Sequence, residues 1–194
     1  DRFARRLAAL PPASSPGAID AQWDIAGFRL AAHVTGCSGT GCLRYRFGKL
    51  RAKDQLGLWL QHLAFCLAAP GKDECQSVFV CTDRTLRLKR VADSRPLLEE
   101  LLAVYRQGLE RPLCFFPKTS LAYALALRAS ASPRRALGAA RAAWNGSEPH
   151  EGESADPYYR RCFETIDPLG EEFQELSRRV FGPFLDGAEW EKAA

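Results

Sequence analysis

Methionine is absent from all 194 residues, and no apolar run approaches the roughly 20 residues that a membrane-spanning helix needs. From the first absence a piece of a longer chain is expected, and the second excludes a transmembrane helix. The opening stretch, DRFARRLAALPP, has neither an apolar core nor a cleavage site, so no secretory signal is expected. Three catalytic signatures are missing too. No Gly-x-Ser-x-Gly elbow occurs, Gly36, Gly39 and Gly41 are not followed by Gly-Lys-Ser/Thr, and no (Asp/Glu)-x-Lys appears anywhere. These absences argue in turn against a serine hydrolase, a nucleotide phosphate loop and the dyad of a metal-dependent nuclease. Ser120, His150 and Asp156 therefore make no hydrolase triad, and Ser120 reads as a helix cap.

Cys-x-x-Cys pairs are absent as well. The seven cysteines (37, 42, 66, 75, 81, 114 and 162) are odd in number and scattered, which reads as reduced thiols of a cytoplasmic protein. His33, Cys37 and Cys42 could form half of a zinc site, but a fourth ligand at suitable spacing is missing. No metal and no cofactor is expected.

What is present is the composition of an ordinary globular protein, 46% hydrophobic and 26% charged, long enough for one sizeable core. The net charge of +4 hides an asymmetry. Residues 1–147 hold 22 Lys/Arg against 11 Asp/Glu, whereas residues 148–194 hold 5 against 12. Such a split suggests a basic face for a polyanion and an acidic end turned elsewhere; a solvated surface of mixed charge is the plainer reading.

Along the chain, residues 2–10 read as a short helix and Pro11–Gly17 as a linker, so that residues 1–20 form a lead-in to a domain spanning 21–194. Residues 22–47 read as antiparallel strands: Trp23, Ile25, Phe28, Leu30, Ala32 and Val34 mostly alternate, Gly27 interrupts them, and 36–41 is a turn. A helix over 54–69 follows, with Leu56, Trp59, Leu60, Leu63 and Leu67 as its apolar stripe and Asp54 near its start. Residues 77–91 read as a hairpin turning at Asp83-Arg84. The RPLLEELLAVYRQGL helix has Pro96 in its first turn and Leu97, Leu101, Val104 and Tyr105 on one face. LCFFP (113–117) is a short buried strand or a core-plugging loop, and the rest is helical. Ser120, Ser132-Pro133, Asp156-Pro157 and Asp167-Pro168 open helices, Gly146 and Gly182 stop two, and 146–155 is an acidic surface loop. The fold class is α+β, a small mixed or antiparallel sheet followed by flanking helices.

The stretch LRYRFGKLRAKDQLGLWLQHL (43–63) begins as a strand, Leu43, Tyr45 and Phe47 on one face and Arg44 and Arg46 on the other, and then becomes the helix. Strand then helix is the skeleton of a metal-dependent nuclease site, which needs an Asp on one strand and (Asp/Glu)-x-Lys on the next. Residues two apart on a strand share a face about 7 Å apart. Here Arg44 and Arg46 occupy the carboxylate and lysine positions, and the apolar Leu30 stands where the first Asp should be. A guanidinium repels a metal ion and cannot be deprotonated.

The run LRYR…LxxWLxHLAFC, the hairpin after it and LLEELLAVYRQGLERPLCFFP carry a more specific likeness. It continues through the helix ending near Trp144 and Gly146, PYYRRCF, and the closing LSRRVFGPFL. In this order the blocks resemble the C-terminal domain of RecC, the gamma subunit of exodeoxyribonuclease V (the RecBCD helicase–nuclease), from about Trp23 to Leu185. The resemblance implies a degenerate PD-(D/E)XK nuclease fold that has lost its catalytic residues. It also implies RecB-like and RecD-like partner subunits, and single-stranded and forked DNA in double-strand break repair by recombination. In active relatives of the nuclease fold this helix carries a Gln and a Tyr that support the site; Gln55 and Trp59 look like a remnant of that pattern.

Two basic clusters are the candidate DNA contacts: Arg44, Arg46, Lys49, Arg51 and Lys53 before the helix, and Arg87, Lys89 and Arg90 on the hairpin. The alternative is a solvated face, or arginines paired with acidic residues of 148–175. Trp59 reads as core, and His62 as a partly buried histidine with a hydrogen-bond partner. Tyr158, Tyr159, Phe163, Phe173, Phe181 and Phe184 pack a core or dock a subunit. Two other functions remain open: an active nuclease using Asp20, Asp24 or Asp54, and a self-sufficient DNA-binding module.

Overall fold

A computed structural model describes residues 2–8, 17–38, 41–69 and 75–192. The chain forms two compact units, residues 1–102 with 186–194, and residues 103–185. The first unit holds α1 (Arg2–Ala8), β1 (Gly17–Ile25), β2 (Phe28–Ser38), β3 (Gly41–Tyr45), α2 (Ala52–Ala68), β4 (Gln76–Val80) and β5 (Arg84–Leu88). Helix α3 (Arg95–Glu110) begins there and ends in the second unit. The second unit continues with α4 (Pro117–Ser130), α5 (Pro133–Asn145), the two-residue strands β6 (Gly146–Ser147) and β7 (His150–Glu151), α6 (Pro157–Phe163) and most of α7 (Glu171–Gly187). The chain then re-enters the first unit as β8 (Ala188–Lys192).

Six strands form one sheet in the order β1-β2-β3-β4-β5-β8. Every neighbouring pair is antiparallel except β3–β4, which is parallel and joined by the α2 crossover. The architecture is therefore the expected α+β, with a mostly antiparallel sheet and flanking helices. The Gly27 interruption is a hairpin turn: Ala26 and Gly27 have φ of 50° and 79°, the two left-handed positions that a tight right-twisted hairpin requires, and Ile25 pairs Phe28. Strand β1 already begins at Gly17, and residues 11–16 of the expected linker lie outside the described residues. Of the turn expected at 36–41, residues 36–38 belong to β2 and Gly41 opens β3, while residues 39 and 40 lie outside the described residues.

Along β1 and β2 the residues Ile19, Trp23, Ala32 and Val34 turn towards α2, packing with Cys37, Cys42, Ala64, Phe65, Cys66 and Cys75. Cys37 and Cys42 stand opposite each other across β2–β3, Cα atoms 4.0 Å apart, and are joined as a disulfide. This corrects the expectation of reduced thiols for that pair, since strand pairing places the two side chains face to face. Cys66, Cys75, Cys81, Cys114 and Cys162 are free thiols.

The α2 stripe is rotated from the one expected. Leu60 is exposed, while Gln55, Leu58 and His62 are buried with Trp59 and Leu63. Polar partners explain the rotation. His62 Nε2 donates to the Lys89 carbonyl at 2.8 Å, its Nδ1 accepts from the Ser77 hydroxyl at 2.8 Å, and Trp190 Nε1 donates to Gln55 Oε1 at 3.2 Å. On α3 the buried residue is Leu98, with Leu97, Leu101 and Val104 half-buried and Tyr105 exposed, so the expected face is also shifted. The C-terminal strand β8 was not anticipated; it closes the sheet edge beside β5.

In the second unit, Phe116 is the hub of the core, with ring centroids 4.3 Å from Trp144, 4.9 Å from Tyr159 and 5.3 Å from Phe163. LCFFP is thus the core-plugging loop. Ser132 and Asp156 cap α5 and α6 as expected, accepting from Arg135 N and from Tyr158 and Tyr159 N. Helix α4 begins at Pro117, three residues before Ser120, whose hydroxyl accepts from Phe116 N; its first turn is capped by the Glu153 carboxylate, which accepts from Lys118 N and Thr119 N. Asp167 opens no helix: it accepts from Leu169 N and pairs with Arg141 at 2.7 Å. Gly182 does not end α7, which continues through Pro183 because Phe184 and Leu185 beyond it are buried. Phe173, Phe181 and Phe184 are core, Tyr159 and Phe163 are half-buried, and Tyr158 is exposed.

Candidate nucleic-acid interface

The first basic cluster lies where β3 passes into α2. Backbone bonds fix this passage: Arg46 N donates to Val80 O, Thr82 N to Gly48 O, and Leu50 N to Asp83 Oδ1 at 2.8 Å. The loop is thereby stitched to the β4–β5 turn. Arg44, the penultimate residue of β3, and Arg46, just beyond the strand, both reach α2.

Both arginines are engaged there. Arg44 Nη1 donates to Gln61 Oε1, and Arg46 Nη1 donates to Asp54 Oδ2 at 2.5 Å. Asp54 also receives Arg51, from Nε and Nη2 at 3.1 Å each and from its backbone N at 3.2 Å. Asp54 sits at the third position of α2, where a carboxylate caps the helix and opposes its dipole. Burial alone would raise the Asp54 carboxyl, but the Arg51 hydrogen bonds and the Arg51 and Arg46 charges hold it below its ordinary 3.8. Asp83 is likewise held low against its burial by bonds from Leu50 N and Arg84. The Arg6 guanidinium donates to the Cys81 carbonyl on the same flank, and burial, with the Asp83 and Asp54 charges, pushes the Cys81 thiol up to about 11.

Lys49 and Lys53 are exposed and have no ion-pair partner among the described residues. In the second cluster, Arg87 pairs with Glu191 at 3.4 Å and Lys89 with Glu189 at 2.5 Å, both on β8, and Arg90 is half-buried near the Cys66 thiol. Among the described residues, the acidic partners of Arg46, Arg51, Arg87 and Lys89 thus come from α2 and β8 and not from 148–175. Leu30 faces inward opposite Trp23; the β2–β3 ladder holds only Cys37–Cys42 and Ser38–Gly41, so pairing does not place Leu30 beside Arg44.

The carboxylates weighed for metal chemistry are dispersed among other partners: Asp20 is hydrogen-bonded to His33 at 2.6 Å, Asp24 pairs with Arg29 at 3.8 Å, and Asp54 with its two arginines. Among the described residues, no three His, Cys, Asp or Glu side chains gather as ligands for a metal ion. Gln55 and Trp59 hold α2 to the sheet. Two features escaped the sequence reading, the Asp54 double clamp and the exposure of Tyr45 and Phe47. The (Arg)-x-x-(Asp) spacing of Arg51 and Asp54 at a helix start was the available signal for the first.

The chain is 30% identical over 157 residues to the RecBCD enzyme subunit RecC of Escherichia coli (strain K12), an alignment covering 75% of this chain and 14% of that protein. The chain thus spans about one seventh of that relative's length. The family model described as the RecC C-terminal domain matches residues 1–128. This chain belongs to the RecC C-terminal domain family.

Proposed function

We propose that this chain is a nuclease-like domain without a catalytic centre of its own. It works inside a RecBCD-type helicase–nuclease assembly, where it docks RecB-like and RecD-like subunits and guides or helps separate DNA strands during recombinational repair. The observation that carries this reading is at the β3–α2 junction. Where two-metal hydrolysis would need a carboxylate and a lysine, Arg44 and Arg46 are bonded into α2, and the adjacent Asp54 is spent on Arg46 and Arg51. Two guanidinium groups on one carboxylate leave a net positive site, which repels Mg²⁺ and attracts phosphate. Its exposed cations, Lys49 and Lys53, extend that charge along a loop held by backbone bonds. The same fold supports the degenerate PD-(D/E)XK reading through its parallel β3–α2–β4 crossover.

Incubation of the chain with a labelled forked duplex and Mg²⁺ or Mn²⁺, followed by a denaturing gel, tests the loss of catalysis. Intact DNA is expected. Cleavage that disappears with a chelator would overturn the reading.

A further inference from the structure

Tyr45 and Phe47 are 64% and 75% exposed, the reverse of what an apolar strand face would give. Tyr45 is the last residue of β3, and Phe47 lies in the bend just beyond it, where Gly48 N donates to Arg46 O at 3.0 Å. Phe3 of α1 buttresses both rings edge-on, its centroid 6.5 Å from Tyr45 and 5.6 Å from Phe47, at interplanar angles of 62° and 81°. The rings are therefore preorganised, with the backbone beneath them fixed by the Arg46 N–Val80 O bond.

Their surroundings are basic. Lys49, Arg51 and Lys53 are exposed on the segment that follows, and Arg5 is exposed on the helix that carries Phe3. A docking patch for another protein is depleted of lysine at its centre, whereas aromatic rings set among lysines and arginines match the bases and phosphates of a single strand.

We infer that Tyr45 and Phe47, buttressed by Phe3, form a stacking platform for two successive bases of single-stranded nucleic acid, with Lys49, Arg51 and Lys53 holding its phosphates. This rests on the DNA-guiding part of the proposed function and names the surface that would perform it. No base-specific hydrogen bonding is involved, so the site takes any sequence, provided the bases are unpaired.

The test is fluorescence anisotropy of the 194-residue chain with a short labelled oligothymidylate and with an abasic oligomer of equal length, at two salt concentrations. The Y45A/F47A variant should lose tenfold or more in affinity for oligothymidylate, keep its salt dependence, and bind the abasic oligomer as the parent does. Y45F/F47W should restore binding, which separates stacking from any loss of fold. Equal losses on both oligomers, or none on either, would overturn the platform and leave the DNA-guiding reading to its own test on forked duplex. No binding of oligothymidylate by the parent at the lower salt would overturn it as well. So would a Y45A/F47A variant that binds oligothymidylate normally yet fails to join RecB-like and RecD-like subunits, which would make the rings a protein contact.

Discussion

Replacing Asp54 by Asn tests whether Arg46 belongs to the fold or to a ligand. The Asp54 side chain is 15% exposed and Arg46 34%, so their bond at 2.5 Å is partly shielded from water. A charge-assisted hydrogen bond is worth about 1.5–3 kcal/mol, and screening at the half-open arginine brings the expected loss to about 1–2 kcal/mol. Asn keeps the volume and can still accept one N–H, but it leaves the Arg46 and Arg51 charges side by side. For a chain of this length the loss corresponds to a fall in Tm of roughly 2–8 °C. Urea unfolding followed by tryptophan fluorescence reads it. The sign with pH follows from the carboxyl being held below its ordinary 3.8. Its contribution is complete above that value and is lost as pH falls through the lower folded value. The gap between parent and D54N should therefore stay constant from pH 7 to about 5 and shrink below about 4. A variant as stable as the parent at pH 7, or a gap that persists unchanged in acid, would refute the clamp. In a double-mutant cycle, Arg46→Met should lose most of its effect once Asp54 is gone.

Two further outcomes follow from the packing of α2 and β3. Burial depresses the His62 imidazole below its ordinary 6.5 against the opposing bond to the Lys89 carbonyl, so folding favours its neutral form. Stability should fall as pH drops below about 6.5, and His62→Leu should flatten that slope while costing about 2–4 kcal/mol at pH 7 through the orphaned Ser77 and Lys89 groups; an unchanged slope would refute the assignment. Gly41→Ala would set a Cβ 2.6 Å from the Gln76 carbonyl across the parallel pair, so it should destabilise by about 1–3 kcal/mol in denaturant titration, whereas Gly57→Ala, with open space around it, should not destabilise.

The parts of the fold that sequence disclosed are those decided by short-range chemistry. Alternation disclosed the antiparallel strands β1 and β2, though not that Gly27 turns a hairpin, and Ser132-Pro133 and Asp156-Pro157 disclosed two helix starts. What escaped depends on partners far along the chain. Asp167-Pro168 has the same local form as those starts, yet its carboxylate turns to Arg141 and Leu169 N. Gly182-Pro183 looked like a stop, but the aromatic and leucine side chains beyond it are buried strongly enough to carry α7 onward. The α2 stripe was misjudged by one position because a histidine was counted as marginal when Ser77 and Lys89, brought in by β4 and the end of β5, satisfy it completely. In the candidate site, the shared face of Arg44 and Arg46 was legible, whereas the Asp54 clamp and the outward turn of Tyr45 and Phe47 required the folded chain.

Under the proposed function, the β3–α2 junction guides DNA instead of cutting it. Fluorescence anisotropy with a labelled forked duplex, comparing the parent with K49E/K53E at two salt concentrations, tests it most directly. Both lysines are exposed and without ion-pair partners among the described residues, so the fold should survive their reversal. The account predicts salt-dependent binding by the parent, a marked weakening and shallower salt dependence in K49E/K53E, and intact DNA throughout. A parent that does not bind the fork, or a variant that binds as tightly as the parent, would contradict it.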